Sequence, residues 1–285
     1  MDMAAKFGPA GTCNLFKEMG YKQSLDIPVF LTEVGLDHFE YQCGRGVNIG
    51  EEKAVQLGAK FKEAGKTVSL HAPYYISMSS VEEEKRRNSV NYILSSAEAV
   101  DFLGGDRIVV HTGSCSKMSR EEALGKAIET LGWSLDALKE RGLSHIHICP
   151  ETMGKINQLG TLDEVIALCK VDESVIPCID FGHLNARTQG EVNSLNAFEN
   201  ILSRIENELG AERLKNFHSH FSKIEYTEGG EKRHLTFEDA VYGPNFEPLM
   251  ELVYKKGLSP IFVCESAGTQ SLDALSMKKY YDGLE

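Results

Sequence analysis

The stretch Val175-Ile176-Pro177-Cys178-Ile179-Asp180-Phe181-Gly182-His183 is a short apolar run that ends in a carboxylate, a glycine and a histidine. It is too short for a helix and rich in β-branched residues, which predicts a buried strand. Buried strands with helices on their faces belong to parallel sheets. In such sheets the chemistry gathers at the carboxyl ends of the strands. Asp180 and His183 stand at that end.

Working outward, other runs read the same way. Thr67-Val-Ser-Leu-His71 and Arg107-Ile-Val-Val-His111 are strand-like and end at a histidine. Residues 145–151 alternate and end at Glu151, and residues 260–265 end at Glu265. Residues 214–221 form a further predicted strand. Its His218 and His220 share one face, because side chains repeat every two residues. Residues 6–11 read as a short strand with a glycine-rich turn, and a strand is also expected at 37–42. Between them lie helical patterns at 12–20 (with Thr12 as cap), 51–64, 90–100, 124–138, 198–209, 247–256 and 271–281. Thr161 caps a short helix with Glu164 at the capping-box position. The run Glu82-Glu-Glu-Lys-Arg-Arg87 reads as a solvated face. Residues 222–242 read as a polar segment holding His234. About eight strand–helix units of roughly 30 to 40 residues predict one α/β domain over 1–285, a (β/α)8 TIM barrel. A doubly wound sheet is the structural alternative.

The 285 residues are 42% apolar and 25% charged, as in an ordinary globular protein. Thirty basic against 42 acidic residues give −12. That provides no global basic footprint for nucleic acid, so such contact would need a local patch or bound cations. The seven cysteines are odd in number and lack C-x-x-C spacing, which fits free thiols in a reducing cytoplasm. No apolar run approaches the ~18 residues of a membrane span, and a cytoplasmic monomer is the expectation. There is no G-x-G-x-x-G after a strand, no Walker-type loop and no G-x-S-x-G elbow.

Six consecutive predicted strands end near metal-ligand types: His71, His111, Glu151, Asp180 with His183, His218 or His220, and Glu265. Alone, each has a bland reading as a cap or a hydrogen-bonded histidine. In order around one barrel face they would converge. Carboxylates converging without cations repel one another. Imidazole with carboxylate suits zinc, manganese or iron.

The motifs Leu70-His71-Ala-Pro-Tyr74, Val110-His111-Thr-Gly-Ser114, Pro150-Glu151-Thr-Met-Gly154, Cys178-Ile-Asp180-Phe-Gly-His183, His220-Phe-Ser-Lys223 and Val263-Cys-Glu265-Ser resemble those of the endonuclease IV family, within the xylose-isomerase-like TIM-barrel group. The resemblance implies two or three zinc ions (manganese or iron being alternatives). It also implies hydrolysis of damaged double-stranded DNA at abasic sites, in base excision repair, by metal-activated hydroxide. Carried over, Glu151 is the catalytic residue and bridges two metals. His71 and His111 serve one of them; Asp180, the strand-seven histidine and Glu265 serve the other. His183 and His234 hold a third. The family's third site uses an Asp-x-His pair, but here Lys232 stands at the aspartate position, with Glu231 one residue away. Arg45 lies near where the family has a DNA-contacting loop, and Tyr74 where it has a residue wedged into the duplex.

Two other functions fit the same residues. A sugar isomerase or 3-epimerase on this barrel would use one metal held by Glu151, Asp180, the strand-seven histidine and Glu265, with the glutamates as acid and base on a small sugar. A non-enzymatic metal-binding barrel is the third.

Overall fold

The computed structural model describes residues 4–284. They fall into two compact units. One holds the chain through Phe39, Gly154–Ile156 and everything from Ile179 on; the other holds Glu40–Met153 and Asn157–Cys178. The strands are β1 (Lys6–Pro9), β2 (His38–Gln42), β3 (Thr67–His71), β4 (Arg107–Val110), β5 (His147–Pro150), β6 (Cys178–Asp180), β7 (His218–Phe221), β8 (Ile224–Thr227), β9 (Gly230–His234) and β10 (Ile261–Cys264). Two four-stranded sheets result, in the orders β1-β10-β7-β6 and β2-β3-β4-β5, with β8 and β9 as a separate two-stranded sheet.

Pairing is parallel at β1–β10, β10–β7, β3–β4 and β4–β5. Every residue of β4, β7 and β10 is buried, which is why these runs lack polar alternation. All seven cysteines are buried thiols outside any disulfide. No helix among the described residues is long and apolar enough to cross a membrane.

Several expectations need correcting. The strand foreseen over 175–183 is only Cys178–Asp180, and Phe181–Arg187 is a helix. Val175 and Ile176 are buried as expected but lie outside the strand, although the Ile176 amide donates to the Ile148 carbonyl, and Pro177 has no N–H to donate to a ladder. The first helix is Asn14–Glu18 behind Cys13, without Thr12 as cap. A second, unforeseen helix spans Ile27–Val34 and ends on Gly35 in the left-handed region at φ 85°. Residues Ala211–Lys215 are a short helix ahead of β7. The polar segment 222–242 contains the antiparallel β8–β9 hairpin. Its polar faces gave no apolar alternation to read.

The charged run near residue 85 is not uniformly solvated. Arg86 is 5% exposed, pairs with Glu129 at 2.8 Å and lies against the Trp133 ring, as does Arg87. A guanidinium stacked on an indole keeps its charge while its stem excludes water.

The capping box at Thr161 forms as read. Thr161 accepts from the Glu164 amide, and the Glu164 carboxylate accepts from the Gly160 and Thr161 amides. Arg120 adds a two-pronged ion pair at 2.7 Å. Burial raises the Glu164 carboxyl, but the Arg120 fork and the two amides outweigh it and hold the group below its ordinary value. A carboxyl depressed in the folded state stabilises the fold above its unfolded pKa. That contribution disappears as the pH falls through the lower, folded value. Glu164→Gln is therefore expected to cost about 1–3 kcal/mol at neutral pH. The gap to the parent should close below about pH 4, read from urea midpoints across a pH series. A gap that stays constant down to strongly acidic pH would remove the ionised carboxylate from the account.

Candidate metal centre

In the unit spanning β3 to β5, three side chains from three strand ends face one another. His71 closes β3, His111 follows β4 and Glu151 follows β5. His71 Nε2 lies 3.4 Å and His111 Nε2 3.2 Å from the same Glu151 Oε2. The rings of His71 and His111 stand at 88° with centroids 4.9 Å apart. Glu151 is buried, at 1% exposure.

The tautomer of His71 is set locally. Its Nδ1 lies 2.9 Å from the Ala72 carbonyl oxygen, which can only accept. Nδ1 therefore carries the hydrogen, and the neutral ring offers its Nε2 lone pair toward Glu151. Where neither Nε2 carries a hydrogen, two imidazole lone pairs and a carboxylate oxygen aimed at one point repel unless a positive centre sits among them. A backbone carbonyl on the far nitrogen is the usual outer partner of a metal-binding histidine. The donor set therefore fits a divalent cation such as zinc or manganese.

In the other unit, β6 runs straight into the helix Phe181–Arg187. Asp180 caps that helix: its Oδ1 accepts from the His183 amide at 2.7 Å. Its Oδ2 lies 3.1 Å from His183 Nδ1. His183 is therefore a helix residue aimed by the carboxylate that precedes it. A Cβ on Gly182 would come within 2.4 Å of the Ser222 carbonyl oxygen, so the Asp-Phe-Gly-His run needs its glycine for close approach to the chain after β7.

Asp180, His220 and Glu265 each bring a ligand atom within 4.8 Å of the others, as do His183, His234 and Glu265. His220 Nδ1 is 3.6 Å from Glu265 Oε2. It is thus His220, not His218, that faces Glu265. His218 lies one strand repeat earlier, packed between His38 at 6.2 Å and His220 at 5.4 Å between ring centroids. Parallel register explains the choice: β7 and β10 end side by side, with Phe221 opposite Cys264.

His38, fully buried on β2, has no place in the expected set, whereas Glu231, one residue from the expected aspartate position, does face the histidines. Glu231 Oε2 is 3.4 Å from His183 Nε2, and its Oε1 is 4.0 Å from His234 Nε2. Gly154 makes room there, since a Cβ on it would stand 2.6 Å from Glu231 Cβ and 2.9 Å from His183 Cδ2. Arg45 and Tyr74 come together: Arg45 Nε donates to the Tyr74 hydroxyl at 3.1 Å. Tyr74 stacks obliquely on Tyr75 at 4.9 Å, and both rings are half exposed.

Residues 29–281 match the family model described as xylose isomerase-like TIM barrel. The chain is similar to an uncharacterized protein of Methanocaldococcus jannaschii, with 35% identity over 256 residues, 89% of this chain and 90% of that one. It is 27% identical over 220 residues to a protein of Oceanobacillus iheyensis named probable endonuclease 4, covering 74% of this chain and 70% of the relative. Among solved structures, a D-tagatose 3-epimerase-like protein superposes with a TM-score of 0.72 at 19% identity, covering 98% and 97% of the two chains. Endonuclease IV from Thermus thermophilus superposes with a TM-score of 0.70 at 18% identity, covering 98% and 99%. These likenesses agree with the parallel α/β architecture and with the (β/α)8 expectation. The chain belongs to the xylose isomerase-like TIM-barrel family.

Proposed function

We propose that this chain is a divalent-metal-dependent phosphodiesterase of endonuclease IV type, acting on DNA at abasic sites. The convergence of His71 and His111 on Glu151 Oε2 carries the reading. A one-metal sugar isomerase leaves those two histidines without a metal role; a metal-cluster phosphodiesterase uses both. The similarity to proteins named probable endonuclease 4 supports the same side.

In this reading His71, His111 and Glu151 would hold one cation, and Asp180, His220 and Glu265 would hold another. When bound, the cations supply an activated water and countercharge for the phosphoryl oxygens. The chain's own part is to orient and to exclude solvent. The Ala72 carbonyl accepts the His71 Nδ1 hydrogen, which in the neutral ring turns the Nε2 lone pair toward the site. Asp180 locks His183 through both its amide and its ring. Water oxygen bonds to phosphorus, the bond from phosphorus to the 3′-oxygen breaks, and that oxygen leaves with a proton. Arg45 and the half-exposed Tyr74 stand as a cation and an aromatic face for the phosphate backbone and for the gap left by a missing base. With a net charge of −12, binding would depend on such local groups and on bound cations.

The purified protein with zinc or manganese is expected to nick an abasic-site duplex and leave a 3′-hydroxyl. Glu151→Gln should lower that rate by at least ~100-fold, because even outer-shell partners of metals cost 10- to 100-fold. Incision equal in parent and variant would sink the proposal. Elemental analysis gives a second check. Two or three ions per chain are expected, whereas one ion together with C3 epimerisation of a ketose would install the isomerase instead.

A further inference from the structure

Lys232 occupies the position where the related pattern has a metal-binding aspartate, which on its face breaks the site at His183 and His234. The hairpin shows how the chain avoids that outcome. In the register of β8 and β9, Ile224 pairs with His234, Glu225 with Arg233, and Tyr226 with Glu231. The shift falls between Glu225 and Tyr226 and leaves Lys232 as the extra residue of a β-bulge. In an unbroken strand Glu231 and His234, three apart, would point to opposite faces. Here their partners are Tyr226 and Ile224, two apart, so the bulge returns Glu231 and His234 to one face.

Both histidines turn the same edge toward that carboxylate. His183 Nδ1 is engaged by Asp180 at 3.1 Å, and His234 Nδ1 lies 2.8 Å from the Ser222 hydroxyl. Their Nε2 atoms are left facing the two oxygens of Glu231. The rings stand 5.4 Å apart at 73°. Lys232 and Arg233 lie on the other face, where both donate to Glu225. Those two hydrogen bonds, Lys232 first, hold the Glu225 carboxyl below its ordinary value, as expected of an ion-paired clamp.

We infer that Glu231 replaces the missing aspartate as carboxylate ligand of a divalent cation at His183 and His234, with Glu225 as the positioning residue that holds the bulge and keeps Lys232 out of the pocket. The inference rests on the reading of this pocket as a metal site. It goes beyond the related pattern, because the ligand comes from a neighbouring position and a different backbone geometry. A glutamate delivered by the bulge does for this hairpin what an aspartate would do in a regular strand.

The test uses zinc alone, counted per chain after equilibrium dialysis and titrated calorimetrically, on the full-length protein. Glu231→Gln keeps the shape and removes the charge. It is expected to lose one ion per chain, or to bind that ion ~10- to 100-fold more weakly, with the remaining ions unchanged. Glu225→Gln should weaken the same ion by up to ~10-fold and leave the melting temperature of the zinc-free protein near the parent's. A structural effect alone would lower the melting temperature without singling out one ion. Parent and Glu231→Gln with equal ion count and affinity would overturn the inference while leaving the other ligand groups standing. A parent that takes up no zinc at all would overturn this inference and the metal reading together.

Discussion

Parallel pairing is the constraint on which the site depends. Strands that run the same way end at the same edge of their sheet, so side chains placed last in each strand become neighbours however far apart they lie in the chain. His71, His111 and Glu151 close or follow adjacent strands of one sheet, and His220 and Glu265 do so in the other. The chain between them is occupied by helices and turns whose work is to return it to the starting edge. Asp180 shows the economy of this arrangement: it ends a strand, caps the helix that follows and aims His183.

Burying several carboxylates and imidazoles together is costly, and that cost is informative. Glu151 and Asp180 are almost wholly buried, as are His183 and His220. A core of this size could have filled those positions with Val or Leu at a gain in stability. Around them, His71 and His234 are held in a defined orientation by a backbone or hydroxyl partner, Ala72 on His71 and Ser222 on His234. Such outer partners make sense around a positive centre and would be wasted around apolar packing. The pair formed by Arg120 and Glu164 is different. There an ion pair and two amide bonds satisfy the carboxylate completely, and it serves the fold.

Long helices with clear apolar periodicity and the Thr161 capping box were legible in sequence, because both are local. So were β3 and β4, whose runs of buried residues leave no competing period. The candidate donor residues were legible as a succession of strand ends. What escaped reading was decided across the chain. Arg86 looked like one charge in a solvated run until Trp133 and Glu129 covered it. His218 and His220 shared a face, and only the register of β7 against β10 selected His220. The β8–β9 hairpin carried no apolar alternation, since its strands are held partly by ion pairs to Glu225.

The sequence by itself determined an α/β chain of alternating strands and helices, and a series of histidines and carboxylates at the strand ends. Periodicity and local composition suffice for that, because each element reports its own buried face. Only the tertiary structure decided which residues meet. It turned His183 from the tail of a strand into a helix residue clamped by Asp180. It also put Glu231, rather than Lys232, beside His183 and His234. The reason is geometric: one extra residue in one strand reverses the faces of everything beyond it, and nothing in the residue types records where that bulge falls.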